Sequence, residues 1–358
     1  MQVLIIGQAM VGGLLDAYSR AFRNLGAEVQ TYDFRAAYVG ATPGAGTRVG
    51  RKLLHPISAS RLNDRLLEET ADARADLVLV LKGQFLRPET VATLRERTGA
   101  PVVNFYPDDP WYRHTSITPT YGDRLFAEYD VVFTYGLHLE QQFREVGVER
   151  IELLHFARDS GYHAPLADAP EPDFDVVFVG NMDRARVRWL EVLSDHHLAI
   201  MGERTLREIP RRSCLRRGRV EFFPEVDSRD LPKAFARGKI SVNVLRDQGI
   251  AAHNMRSFES PACRAFTLSQ RTPQLQEMFR ENEEVVFFSS PEELRERVDE
   301  WLARPDDRAR VAEAGFRRVE HDTYERRAER ILQAMGLFNP APPTDGSRPE
   351  TLSPAARR

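Results

Sequence analysis

The stretch from Gly249 to Cys263 concentrates the residue types that could do chemistry: His253, Asn254, Met255, Arg256 and Glu259 lie within seven positions of one another. It is expected to turn out of a buried strand into a short helix. A helix N-terminus offers free N–H groups and the positive end of the helix dipole, so it can hold a diphosphate, and Arg256 in the first turn adds charge. Glu259, one turn further on, cannot favour phosphate. A carboxylate there can instead accept two hydrogen bonds from vicinal hydroxyls, as ribose presents them. Together the two side chains suggest a nucleotide diphosphate ligand, with His253 placed to face the diphosphate or the group attached to it. The plain alternative is an i, i+3 ion pair on the solvent side, worth only about 0.2–0.5 kcal/mol.

A second candidate cluster lies in the first half. Asp108 and Asp109 follow the apolar run Val102 to Phe105 and precede Pro110 and Trp111, at a strand end where α/β sheets carry their functional loops. One of two adjacent carboxylates can have its pKa raised toward neutrality and serve as general base on a hydroxyl. The competing reading is a turn capped by aspartate. His114 and Lys82 are further cleft candidates. Adjacent acids are poorly spaced for a divalent ion, and His138, His155 and His253 lack metal-ligand spacing, so no metal is expected. Gly7, Gly12 and Gly13 do not form G-x-G-x-x-G. They read either as a loop facing a cleft or as tight strand-to-helix packing. The basic cluster from Arg207 to Arg219 is a solvated face or a surface for an anionic acceptor or lipid.

These groups need a scaffold, and the chain supplies the pattern for one. Short apolar runs at Val3 to Ile6, Leu77 to Leu81, Val102 to Phe105 and Val131 to Tyr135 alternate with helical stretches at Leu14 to Leu25 and Pro88 to Thr98. That is the pattern of a parallel sheet covered on both faces. Pro165, Pro170 and Pro172 interrupt it, and it restarts at Val176-Val177-Phe178-Val179-Gly180. The expected division is a first Rossmann-like domain over residues 1–165, a second over 166–320, a helix over 321–337 packing back toward the first domain, and a disordered tail over 338–358. At 358 residues, two cores are the natural expectation. A net charge of -3 gives no field for gripping nucleic acid. Two unpaired cysteines fit a reducing cytoplasm, and no apolar run is long enough to span a bilayer, which leaves only a peripheral membrane contact open.

The pattern Asn254-x-Arg256-x-Phe258-Glu259-x-x-Ala262-Cys263 resembles the signature of glycosyltransferases similar to the spore maturation protein CgeB. The likeness continues through Pro273 to Phe279, Asn282 to Phe288 and Pro291 to Leu294. Upstream it takes in Asp175 to Asn181 with Arg184 and Arg188, Lys239 to Asn243, Asp76 to Gly83 and Asn104 to Trp111. It implies a GT-B fold of two Rossmann-like doubly wound domains facing a central cleft. It also implies transfer of a sugar from a nucleotide-diphosphate sugar, without metal or other cofactor and with retention at the anomeric carbon. On this resemblance Glu259 holds the donor ribose, Arg256 and Asn254 lie near the diphosphate, and Gly180, Asn181, Arg184, Arg188 and Met255 complete the donor site. The acceptor, whether saccharide, lipid, protein or small molecule, is not specified. Two departures stand out. Ala251 occupies the position eight before Glu259, where retaining enzymes often carry an acid, and Arg264 replaces a common glycine, so the helix end or the loop beyond it is expected to differ. Alternatives are a nucleotide-sugar epimerase or hydrolase on the same fold, or a non-catalytic nucleotide-binding scaffold.

Overall fold

A computed structural model describes residues 1–34, 48–112, 119–202, 205–249 and 251–338. His114 and the tail beyond Phe338 lie outside the described residues. Among the described residues, twelve parallel strands form two six-stranded sheets. The first has the order β2-β1-β3-β4-β5-β6, with β1 Gln2–Gly7, β2 Glu28–Asp33, β3 Leu77–Leu81, β4 Val102–Tyr106, β5 Val131–Thr134 and β6 Ile151–Leu153. The second has the order β12-β11-β10-β7-β8-β9, with β7 Phe174–Val179, β8 Leu198–Met201, β9 Val220–Phe223, β10 Gly238–Asn243, β11 Thr267–Gln270 and β12 Val286–Phe288.

Central strands read as solid apolar runs because helices cover both faces. Every residue of β3, β4 and β5 is buried. The order reverses between β1 and β3 in one sheet and between β7 and β10 in the other. Such switch points leave a crevice beyond the carboxyl ends of the strands, where open α/β sheets bind ligands.

The last helix, Tyr324–Ala334, packs against the first, Leu14–Asn24. Tyr18 and Tyr324 meet edge to face at 5.2 Å, Asn24 donates to Glu325 at 2.9 Å, and Ile331 and Leu332 are fully buried in the first sheet's core. Two such aliphatic side chains contribute about 1.5–3 kcal/mol each. The segment joining the sheets bonds to the approach of this helix, Arg158 N–H donating to Asp322 and Tyr324 N–H to Arg158.

At the end of the helix Arg256–Ala262, Arg264 adopts the left-handed conformation itself, at φ 57°, and the turn closes in Schellman fashion through Arg264 N–H to Pro261 and Ala265 N–H to Ser260. A non-glycine residue there costs on the order of 1–2 kcal/mol. Arg264 offsets this by pairing with Glu313 at 2.9 Å and lying 4.9 Å over the Phe316 ring.

Candidate active site

A cavity of about 320 Å³ opens between the carboxyl edges of the two sheets, within the size range of small-molecule sites. Its first-half wall includes Asp108, Tyr135 and Phe156; its second-half wall includes Gly180, Asn181, Arg186, Gly202, Arg246, His253, Asn254, Met255 and Arg256. Those residues come from the loops after β4, β5 and β6 on one side and from the β7/β10 switch point and the end of β8 on the other. Of the residues singled out in the sequence, Asp108, Gly180, Asn181, His253, Asn254, Met255 and Arg256 line the cavity. Asp109, Arg184, Arg188 and Glu259 are not on its wall.

The adjacent acids divide their work. Asp109 caps a turn, its Oδ1 accepting from Trp111 N–H at 2.9 Å and Tyr112 N–H at 3.1 Å. Asp108 faces the cavity and pairs with Lys82 Nζ at 2.8 Å. Lys82 follows β3 directly and has φ 66°, with Gly83 after it at φ 70°.

Arg256 and Glu259 form the ion pair that their spacing allows, but not on the solvent side. Glu259 is 4% exposed and sits behind the arginine. Arg256 Nε donates to the Val179 carbonyl at 3.0 Å, so carbonyl and carboxylate together fix the guanidinium at the cavity wall. In this arrangement Glu259 orients Arg256. Asn254 spends its amide internally. Its Oδ1 accepts from Ser257 N–H at 3.2 Å, capping the short helix, and its Nδ2 donates to Asn243 at 2.9 Å.

His253 is 1% exposed, and burial holds its pKa well below the usual histidine value, so the ring is neutral. Phe156 N–H donates to Nε2 at 3.2 Å, which places the ring proton on Nδ1. With its lone pair engaged and Nδ1 buried, His253 is not placed to act as a base.

The cation that sequence reasoning missed is Arg186. Arg184 and Arg188 repeat at i, i+4 and share the exposed face of the helix Arg184–Leu190, whereas Arg186 points the opposite way. It is 7% exposed, lies against the Phe178 ring, and donates to the carbonyls of Val244 at 3.0 Å and Asn181 at 2.8 Å. Among the described residues no carboxylate pairs with it. Burial, aided by Arg246 and Arg256, pushes its pKa down to about 10, which still leaves it charged at neutral pH. A helical phase count that asked which arginine shares a face with buried Val187 and Leu190 would have found it.

Residues 172–333 match a family model described as glycosyl transferase-like. No curated protein matches the chain in sequence. Among solved structures it is similar to sucrose-phosphate synthase from Thermosynechococcus elongatus, with a TM-score of 0.66 and 17% identity over 94% of this chain and 98% of that one. It is also similar to Anabaena HepE, solved in complex with UDP-glucose, with a TM-score of 0.64 and 11% identity over 94% and 100% of the two chains. A glycosyltransferase from Rickettsia africae gives a TM-score of 0.61 and 12% identity over 93% and 97%. At such identities the likeness carries the fold, and the family match carries the second half. Fold and family match agree: residues 172–333 form a glycosyl transferase-like part, and the chain as a whole has the GT-B fold of its structural neighbours.

Proposed function

We propose that the chain moves a sugar from a nucleotide-diphosphate sugar, held by the second sheet, to a hydroxyl of an acceptor held by the first. The observation that carries this reading is Arg186: a buried guanidinium on the wall of a cavity, with no carboxylate partner among the described residues and with Arg256 and Arg246 beside it. Burying an uncompensated charge is costly. A diphosphate supplies the missing anion, and a guanidinium is the side chain best shaped to bind one. As the glycosidic bond to the diphosphate breaks, charge builds on the leaving oxygens, and fixed cations stabilise it without reorganising. Arg256 is fixed by Val179 and Glu259, and Arg186 by Val244 and Asn181. The neighbour solved with UDP-glucose supports a nucleotide-sugar donor.

On the opposite wall Asp108 accepts the hydrogen bond of the acceptor hydroxyl and holds it toward the anomeric carbon. Three arginines at the diphosphate let the reaction run without a metal, and retention of configuration, which the resemblance to CgeB-like enzymes suggests, is part of the proposal. Glu259 is assigned to orienting Arg256 rather than to binding ribose.

The test is calorimetric titration with UDP, GDP, ADP, CDP and dTDP. One of them is expected to bind, and Arg186→Met is expected to weaken it by about 1.5–3 kcal/mol, or roughly ten- to 150-fold, the worth of a charged hydrogen bond. Unchanged affinity in the variant, with the fold intact, would remove the basis of the reading.

A further inference from the structure

Lys82 stands at the reversal point of the first sheet, in a backbone conformation that lysine does not choose. Glycine or asparagine would take φ 66° with less strain. The conformation is held from several directions. Lys82 N–H donates to the Phe105 carbonyl at 2.8 Å, and the fully buried Asn104 donates through Nδ2 to the carbonyls of Val80 at 3.0 Å and Lys82 at 3.3 Å. Gly83 then continues in the left-handed region, where an added Cβ would lie 2.6 Å from Val80 Cγ1 and 3.0 Å from the Tyr129 hydroxyl. Strain that persists in an over-determined setting beside a cavity points to a task for the side chain. That side chain makes one ion pair, to the cavity-lining carboxylate of Asp108 at 2.8 Å.

We propose that Lys82 is a positioning residue: its left-handed backbone aims the ammonium so that Asp108 is held in the rotamer that meets the acceptor hydroxyl. The inference rests on the role given to Asp108 above. Asp108 follows β4 on a loop, and its neighbour Asp109 is committed to the turn. The ammonium fixes one carboxylate oxygen of Asp108 at 2.8 Å, and a misplacement of about 1 Å at a reacting centre costs roughly a hundredfold in rate.

Glycine at position 82 separates the two roles a residue can have there, because it removes the ammonium and relieves the backbone at once. Nucleotide release from a panel of UDP-, GDP-, ADP-, CDP- and dTDP-glucose, with water as acceptor, is measured for the parent, K82G, K82R and D108N, together with melting temperature and nucleotide affinity. K82G is expected to melt at or above the parent temperature, to bind nucleotide as the parent does, and to lose roughly a hundredfold in kcat with little change in donor KM. K82R, which restores a cation, is expected to recover part of the loss. K82G turning over at the parent rate would overturn the proposal, as would K82G that melts lower, which would make Lys82 a strut. If D108N keeps the parent kcat, the role of Asp108 fails and the inference falls with it. If D108N is slow and K82G is not, the inference falls alone. No release by the parent from any donor contradicts the transfer reading itself and overturns both.

Discussion

The two walls of the cavity are built on the same parallel-sheet plan and carry opposite electrostatics. On the second-half wall Arg186 and Arg256 are locked by backbone carbonyls and by Glu259, and positive charge is left over. On the first-half wall Lys82 and Asp108 neutralise one another beside Tyr135 and Phe156. A wall with surplus positive charge suits an anion, and one whose charges pair off does not. The contrast teaches that the two walls differ in charge even where they touch, as at the hydrogen bond from Phe156 N–H to His253 Nε2.

The sharpest way to break this contrast is to remove one charge from each wall. Arg256→Ala is expected to weaken nucleotide binding and to cut turnover far more than stability, whereas Asp108→Asn is expected to leave nucleotide affinity alone and to lower kcat by a factor of about 10² or more. Calorimetry beside steady-state kinetics reads both, and a loss of nucleotide affinity in Asp108→Asn would merge the two walls into one.

A smaller effect is expected where the halves touch without chemistry. Gly12 has φ 64°, and a Cβ there would lie 1.9 Å from Ser228 Cβ, whose hydroxyl is 2.7 Å from His163. Gly12→Val is expected to cost about 1–3 kcal/mol, seen as a lower denaturation midpoint in urea. An unchanged midpoint would mean that this contact yields freely.

The least effect is expected from the arginines on the outer helix face. Removing Arg184 and Arg188 together should stay within about 0.5 kcal/mol in stability and leave nucleotide affinity as it was. A drop comparable to that of Arg186→Met would place the diphosphate on the wrong side of the helix.

Much of this was legible in the chain before any coordinates. Val3 to Ile6, Leu77 to Leu81 and Val176 to Val179 announce central strands because burial on both faces leaves no room for polar residues. The edge strands β2, β6 and β9 were silent, since one side of each meets solvent and the apolar run disappears; in β2 the three residues Glu28, Gln30 and Thr31 are exposed. At the site, residue types were readable and directions were not. Arg184, Arg186 and Arg188 are chemically identical, and only the phase of the helix decides which one enters the cavity. Asp108 and Asp109 are likewise equivalent until the turn claims one. The spacing of Arg256 and Glu259 allows both an ion pair and a ligand role, and the burial of the pair is set by the sheet behind it, which the spacing does not show.

The chain passes between the halves twice, once after β6 and once before the helix Tyr324–Ala334, and the two passages are stitched together at Arg158, Asp322 and Tyr324. Two tethers lying side by side resist twisting of one sheet against the other better than a single strand of chain would, and this constraint keeps Asp108 opposite the arginines.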